Sequence, residues 1–238
     1  MEEFVRLSLY LGVLAYSCIL HEYAHVWVAY RLGDPTGKNQ GRLTLNPLPH
    51  IDLFWTIILP LLMIALRGVP FGGPKPAPVN PLNFRNPRAG FMWTSLAGPF
   101  TNILLAALGL AFLWTLFHTA PGFLFAERDG PSPELTVNGL FFANILFVNV
   151  FLAAFNLIPV PPLDGSRFLR FLAGRRGEGF VDAVERLGIL PLLLVVYFVA
   201  PYALAPVLRG LIGLLAGLFG PVHAAEIVSE FFTPIFKP

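Results

Sequence analysis

An all-α polytopic membrane protein is the fold class this sequence predicts, on three observations. Of 238 residues, 55% are hydrophobic and only 13% are charged, with a mean hydropathy of +0.68; a water-soluble domain of this length needs more polar surface. Apolar stretches long enough to cross about 30 Å of hydrocarbon recur along the chain, separated by segments rich in Pro, Gly and charge. Inside the first of them, His21-Glu22-Tyr23-Ala24-His25 has the spacing of metal ligands on a helix. About five to six transmembrane helices are expected, with a short hairpin or re-entrant extended element near this motif. The chain is read as one domain over residues 1–238, with its core at about 10–170 and C-terminal helices at 187–238.

The first span is predicted from about Phe4 to Tyr30, with Trp27 and Tyr30 as interface anchors and Gly33-Asp34-Pro35 as its stop. Residues 36–52 are polar, carry Gly37 and Gly41, and alternate in Arg42-Leu43-Thr44-Leu45, which predicts a short hairpin or extended loop. Residues 53–66 are apolar but interrupted by Pro60, too short to cross easily, and the proline-rich run over 68–87 predicts extended backbone. A long span follows over about 90–117, then an acidic loop over 119–136, a span over about 137–158, and a stretch holding Arg167, Arg170, Arg175, Arg176 and Arg186. Residues 187–220 read as one span and a further half or full one, and the tail as an amphipathic surface helix.

Composition excludes several classes of function. A net charge of +2 without a basic patch interleaved with aromatics argues against nucleic acid. Cys18 is the single cysteine, so neither an internal disulfide nor a cysteine-based zinc cluster is available. The N-terminus, with Glu2 and Glu3 ahead of Arg6, does not read as a removable signal peptide.

The chemistry centres on the first span. Residues i and i+4 share a helix face, so His21 and His25 can present two imidazole nitrogens to one Zn²⁺, while Glu22 beside them can take a proton from water. Each ionisable group in such a helix carries an insertion cost of about 2–3 kcal/mol, which marks function. Catalytic zinc wants three protein ligands. Asp164, after Pro159, Pro161 and Pro162 at the end of a span, is the leading third ligand, with a helix N-cap as its alternative role. His50 and Asp52 form another His and carboxylate pair, read as solvated side chains of a polar loop in preference to outer partners of the metal site or a gate, and His118 and His223 receive no role.

Three separated motifs, His21-Glu22-Tyr23-Ala24-His25, Gly98-Pro99-Phe100-Thr101-Asn102 and the run from Asn156 to Gly165 (NLIPVPPLDG), occur in an order that resembles the site-2 protease family of intramembrane zinc metalloproteases, peptidase family M50. The resemblance covers roughly residues 10–170 and suggests a minimal form without a PDZ or CBS domain. It implies one zinc per chain held by His21, His25 and Asp164, with Glu22 as general base. It also implies that Asn156 faces the site and bonds substrate backbone or a developing oxyanion. Gly98, Pro99 and Asn102 correspond to a helix-packing motif; for Asn102, structural glue is preferred over a substrate contact.

The implied activity is endopeptidase cleavage, in or near transmembrane segments, of a membrane-bound protein or peptide. An unwound substrate would add as a strand to residues 36–46 or 70–80. By the positive-inside rule, the acidic loop lies outside and the arginine-rich stretch inside, which puts the N-terminus outside and the active site nearer the cytoplasmic side of a bacterial or archaeal membrane. Competing readings are a transporter or ion pathway using intramembrane His, Glu and Asp, and a catalytically silent scaffold of the same fold.

Overall fold

The computed structural model describes residues 2–58, 61, 73–126, 133–188 and 190–236, and is mostly helical among them. The long helices are α1 (Glu2–Arg31), α3 (Pro87–Thr119), α5 (Val137–Asn156) and α6 (Asp164–Glu185). Short turns form α2 (Thr36–Asn39) and α4 (Pro121–Leu124), and a two-residue hairpin pairs β1 (Phe125–Ala126) with β2 (Glu134–Leu135). The C-terminal part contains α7 (Leu190–Leu194), α8 (Ala200–Phe219) and α9 (Pro221–Phe236). Among the described residues, four helical stretches are long and apolar enough to cross a membrane: Phe4–Arg31, Pro87–Thr119, Val137–Asn156 and Leu190–Phe219.

The last of these is a single helical stretch. A π-helical turn at Val195–Val199 joins α7 to α8, where Pro201 has no N–H to give and its ring crowds the carbonyl four residues back, at Tyr197. Widening the ladder there removes the clash without ending the helix.

The chain divides into two compact units. The first takes residues 1–14, 102–158 and 187–238. Its core gathers Leu146 and Phe147 of α5, Leu113 of α3, Leu211 and Leu215 of α8, and Ile227 and Phe231 of α9. Phe147 stacks on Phe231 with centroids 4.6 Å apart. Helices α3 and α5 approach closely because Gly109 has no Cβ; one built there would lie 3.0 Å from Leu146 N. Asn102 Nδ2 donates to Asn149 Oδ1 across the pair at 2.7 Å, an amide–amide hydrogen bond of the kind that ties apolar helices. At one end of this unit, Arg6 pairs with Glu230 and lies 3.8 Å from Glu134 of β2.

The second unit takes residues 15–101 and 159–186. Helix α1 ends at Gly33, whose φ of 113° is open to glycine and strained for other residues. Asp34 then holds the following chain in place. Its carboxylate accepts from Thr36 N at 3.0 Å, Thr36 Oγ1 at 2.5 Å, Asn83 Nδ2 at 2.8 Å and Asn80 N at 2.7 Å. Helix α6 breaks at Gly174, with φ 57°, so that Arg170 reaches forward to Asp182 at 2.7 Å and Glu185 at 3.0 Å.

Several expectations are corrected. Residues 36–52 form no hairpin: the segment starts as the α2 turn, which Asp34 initiates through Thr36, and ends in a 3-10 turn at Leu48–His50. The only strands among the described residues are β1 and β2, within the acidic loop. His50 is not solvated; it is 2% exposed, with Nε2 donating to Thr44 O at 2.9 Å. The tail forms α9, an amphipathic helix whose Ala224, Ile227 and Phe231 are buried in the first unit's core. Of residues 53–66, Leu53–Ile58 forms a π-helical turn and residues 59–60 and 62–66 lie outside the described residues, as do 68–72 of the proline-rich run. Residues 73–80 carry no regular secondary structure, as expected of their prolines.

Asp34→Ala would strand donors from Thr36, Asn80 and Asn83, and is expected to cost about 2–3 kcal/mol, read as a lower thermal unfolding midpoint in detergent. Burial raises the Asp34 pKa, but the hydrogen bonds from Asn83, Thr36 and Asn80 outweigh it and leave it below the usual value. A lowered carboxylate pKa means that this contribution is fully present above the unfolded-state value of about 4 and is lost as pH falls through the folded value. The wild-type and Asp34→Ala midpoints should therefore differ at neutral pH and converge in acid.

Candidate metal centre

The predicted ligands meet. His21 and His25 project from one face of α1, and Asp164 is the first residue of α6, directly after the proline-rich turn. His21 Nε2 and His25 Nε2 are 3.0 Å apart, and Asp164 Oδ2 lies 3.1 Å from each. All three side chains are buried. The N-cap position of α6 is Leu163, not Asp164, and the Asp164 carboxylate turns its Oδ2 to the histidines while Oδ1 lies 3.9 Å from Arg167.

Second contacts fix the chemistry of these atoms. His25 Nδ1 donates to Thr94 O at 2.6 Å, which places the ring proton on Nδ1 and leaves Nε2 as a lone-pair donor to a metal. Two imidazole nitrogens and a carboxylate oxygen converging at about 3 Å form a cluster of electron-pair donors that favours a cation at their centre. Two His and one carboxylate is also a donor set of catalytic zinc, so the residues fit that ion.

Glycine 98 provides the room. A Cβ at this position would lie 2.4 Å from His25 Nε2 and 2.5 Å from His21 Nε2, atoms that are themselves the donors. Thr94 and Gly98 are four residues apart on α3, so one helix face supplies both the carbonyl that orients His25 and the gap in front of it. The motif reading assigned Gly98 to helix packing alone; only its position against the imidazoles reveals this role.

Glu22 follows His21 on α1, is 9% exposed, and its Oε2 has no hydrogen-bond partner. Such an atom is costly to bury unless something polar comes to it. Arg42 is buried as well, and the carboxylates of Glu22 and Asp52 act on its charge. Nothing in the local sequence reading selected Arg42. Asn156 is half-buried, and its Nδ2 donates to Leu152 O of its own helix at 2.9 Å. Asn102 is fully buried and committed to Asn149.

The comparisons agree on the kind of protein. Residues 122–196, which include Asn156 and Asp164, match the family model described as Peptidase family M50. A Bacillus subtilis (strain 168) protein named "Putative zinc metalloprotease YwhC" is 37% identical over 228 residues, covering 94% of this chain and 91% of the relative. "Putative zinc metalloprotease Rip2" of Mycolicibacterium smegmatis is 35% identical over 150 residues, and that of Mycobacterium tuberculosis (strain ATCC 25618 / H37Rv) 34% over 149. Each Rip2 alignment covers 63% of this chain and 51% of the relative, so the chain spans about half the length of these two. No solved structure matches the chain.

Gly98→Ala is expected to reduce bound zinc by about tenfold or more, as measured by metal analysis of the purified protein, because the added methyl occupies the space in front of both imidazoles. Gly109→Ala, in the other unit, should leave zinc content unchanged.

Proposed function

The chain belongs to peptidase family M50, the site-2 protease family, and from that premise we propose that it is a zinc-dependent endopeptidase of the membrane, cutting protein substrates in or near their transmembrane segments. The observation that carries this reading is the convergence of His21, His25 and Asp164 inside the apolar helix region, with Glu22 next to it and its Oε2 buried without a hydrogen-bond partner. Regulated intramembrane proteolysis is the physiological role that follows.

His21, His25 and Asp164 would hold one zinc, whose Lewis acidity supports attack of water on a peptide carbonyl near neutral pH. Glu22 accepts the proton of the attacking water and returns it to the departing amine, a role for which a buried carboxylate with one free oxygen is suited. Thr94 O keeps His25 in the tautomer that presents Nε2. The Asn156 side chain is assigned to the substrate backbone, on the family resemblance and its place eight residues before Asp164. For Asn102 the bond to Asn149 favours helix packing over substrate contact.

A transmembrane helix resists hydrolysis because its carbonyls are bonded internally, so a substrate unwinds before it is cut. Strand addition at residues 36–46 has no strand to add to. Residues 73–80 remain the proposed contact, with a restriction: Pro74, Pro76 and Pro78 have no N–H, and Lys75 already uses its N–H on His50 O at 2.7 Å. What this stretch offers an unwound peptide is mainly carbonyl acceptors. The proposed orientation keeps the N-terminus outside, and the pairing of Arg6 with Glu134 supports it by placing the start of α1 beside the acidic loop.

Zinc analysis alongside cleavage of a model transmembrane substrate tests the assignment. Wild type should carry about one zinc per chain, lost on His21→Ala or Asp164→Ala. Glu22→Gln should keep the metal while cleavage falls by about 10²–10⁴-fold. Absence of zinc from folded wild-type protein would overturn the proposal.

A further inference from the structure

A buried cation lies on the same side of α1 as the catalytic carboxylate, and no motif accounts for it. Glu22 and Val26 are four residues apart and so share a helix face. Gly37 of the α2 turn lies flat against Val26: a Cβ at 37 would be 2.7 Å from Val26 Cγ1. The carbonyl of Gly37 accepts the backbone N–H of Arg42 at 2.9 Å. Arg42 is thus registered to the Glu22 face through two contacts, and it is only 3% exposed.

Its guanidinium joins two separate stretches. Nη1 donates to Pro49 O at 2.8 Å, and Nη2 donates to Lys75 O. Lys75 N in turn donates to His50 O at 2.7 Å. A planar fork is the side chain that can hold two carbonyls in this way, which an ammonium does poorly. One atom is left over: Arg42 Nε is buried without a hydrogen-bond partner, as is Glu22 Oε2. Burial pushes the Arg42 pKa down from its ordinary value, opposed by the charges of Glu22 and Asp52.

We propose that Arg42 is a positioning residue for the Glu22 carboxylate, pinning the 46–50 and 73–77 stretches over that face of α1 and supplying the positive charge that holds the carboxylate in place for proton transfer. The catalytic part of this inference rests on the proposed hydrolysis; the coupling between Arg42 and Glu22 does not. A buried guanidinium with two of its donors spent on carbonyls still needs an anion; of the two carboxylates that act on its charge, Asp52 accepts from Phe54 N, while Glu22 Oε2 is buried without a hydrogen-bond partner.

A double-mutant cycle on the zinc-loaded protein tests it, using wild type, R42Q, E22Q and the double variant. R42Q is expected to bind as much zinc as wild type and to lower the thermal midpoint, with that loss reduced by about half or more in the E22Q background, because the partner charge is already gone. On a model transmembrane substrate, R42Q should lower kcat by about tenfold or more while KM changes by less than about threefold. R42K keeps the charge without the fork and guards against a general folding defect; its kcat should lie above that of R42Q and below that of wild type, because the charge is restored and the two carbonyls are not both held. Equal midpoint losses from R42Q in the two backgrounds would overturn the coupling, whether or not the wild type cleaves. An R42K kcat as low as that of R42Q would overturn the role of the charge.

Discussion

Three electron-pair donors meeting within 3.1 Å of one another among apolar helices is the constraint around which this protein is arranged. His21 Nε2, His25 Nε2 and Asp164 Oδ2 give one another little as neutral imidazoles and a carboxylate, and burying them costs free energy unless a cation satisfies all three. The local structure serves that convergence. Two imidazoles one helical turn apart bring two donors to one side of α1. The proline-rich turn ends so that Asp164 opens α6 facing them, and α3 brings a carbonyl at Thr94 and a missing side chain at Gly98.

Polar atoms elsewhere in the membrane-spanning helices are dealt with differently, and the contrast helps to separate structural from functional groups. Asn102 donates to Asn149, whose own Nδ2 donates to Ile145 O, so these amides are spent on holding α3 to α5. Glu22 has an oxygen left open. An amide with its partners in place adds to packing, whereas an open carboxylate next to a donor cluster is a group held for chemistry. Asp34 belongs to the first kind: both its oxygens accept from the chain that leaves α1 and order it.

The stretch between α1 and α3 is irregular for a related reason. Its prolines deny it a sheet ladder, and its backbone is held instead by side chains: Asp34 at one end, and Arg42 with His50 in the middle. Irregular backbone near the membrane is tolerated where protein groups satisfy it. Alternation in Arg42-Leu43-Thr44-Leu45 suggested a hairpin, but the pattern is only four residues long, and the Asx-type bonding of Asp34 to Thr36 starts a helical turn just upstream.

The amino-acid sequence by itself determined the helical membrane class, the boundaries of α1, α3 and α5 to within a few residues, and the two histidine ligand candidates, because hydropathy, proline and glycine punctuation, and i, i+4 spacing are all local properties. It also pointed to Asp164, though leaving it between ligand and helix cap. Tertiary structure alone brings its carboxylate against the imidazoles, since that contact joins residues 143 positions apart. It likewise decided that Gly98 clears space for the donors, that His50 is buried, that α9 belongs to a core, and that Arg42 comes to the face of Glu22. Each of these is a contact between residues distant in sequence, or a close approach that depends on a missing Cβ, and no periodicity in a single chain records either.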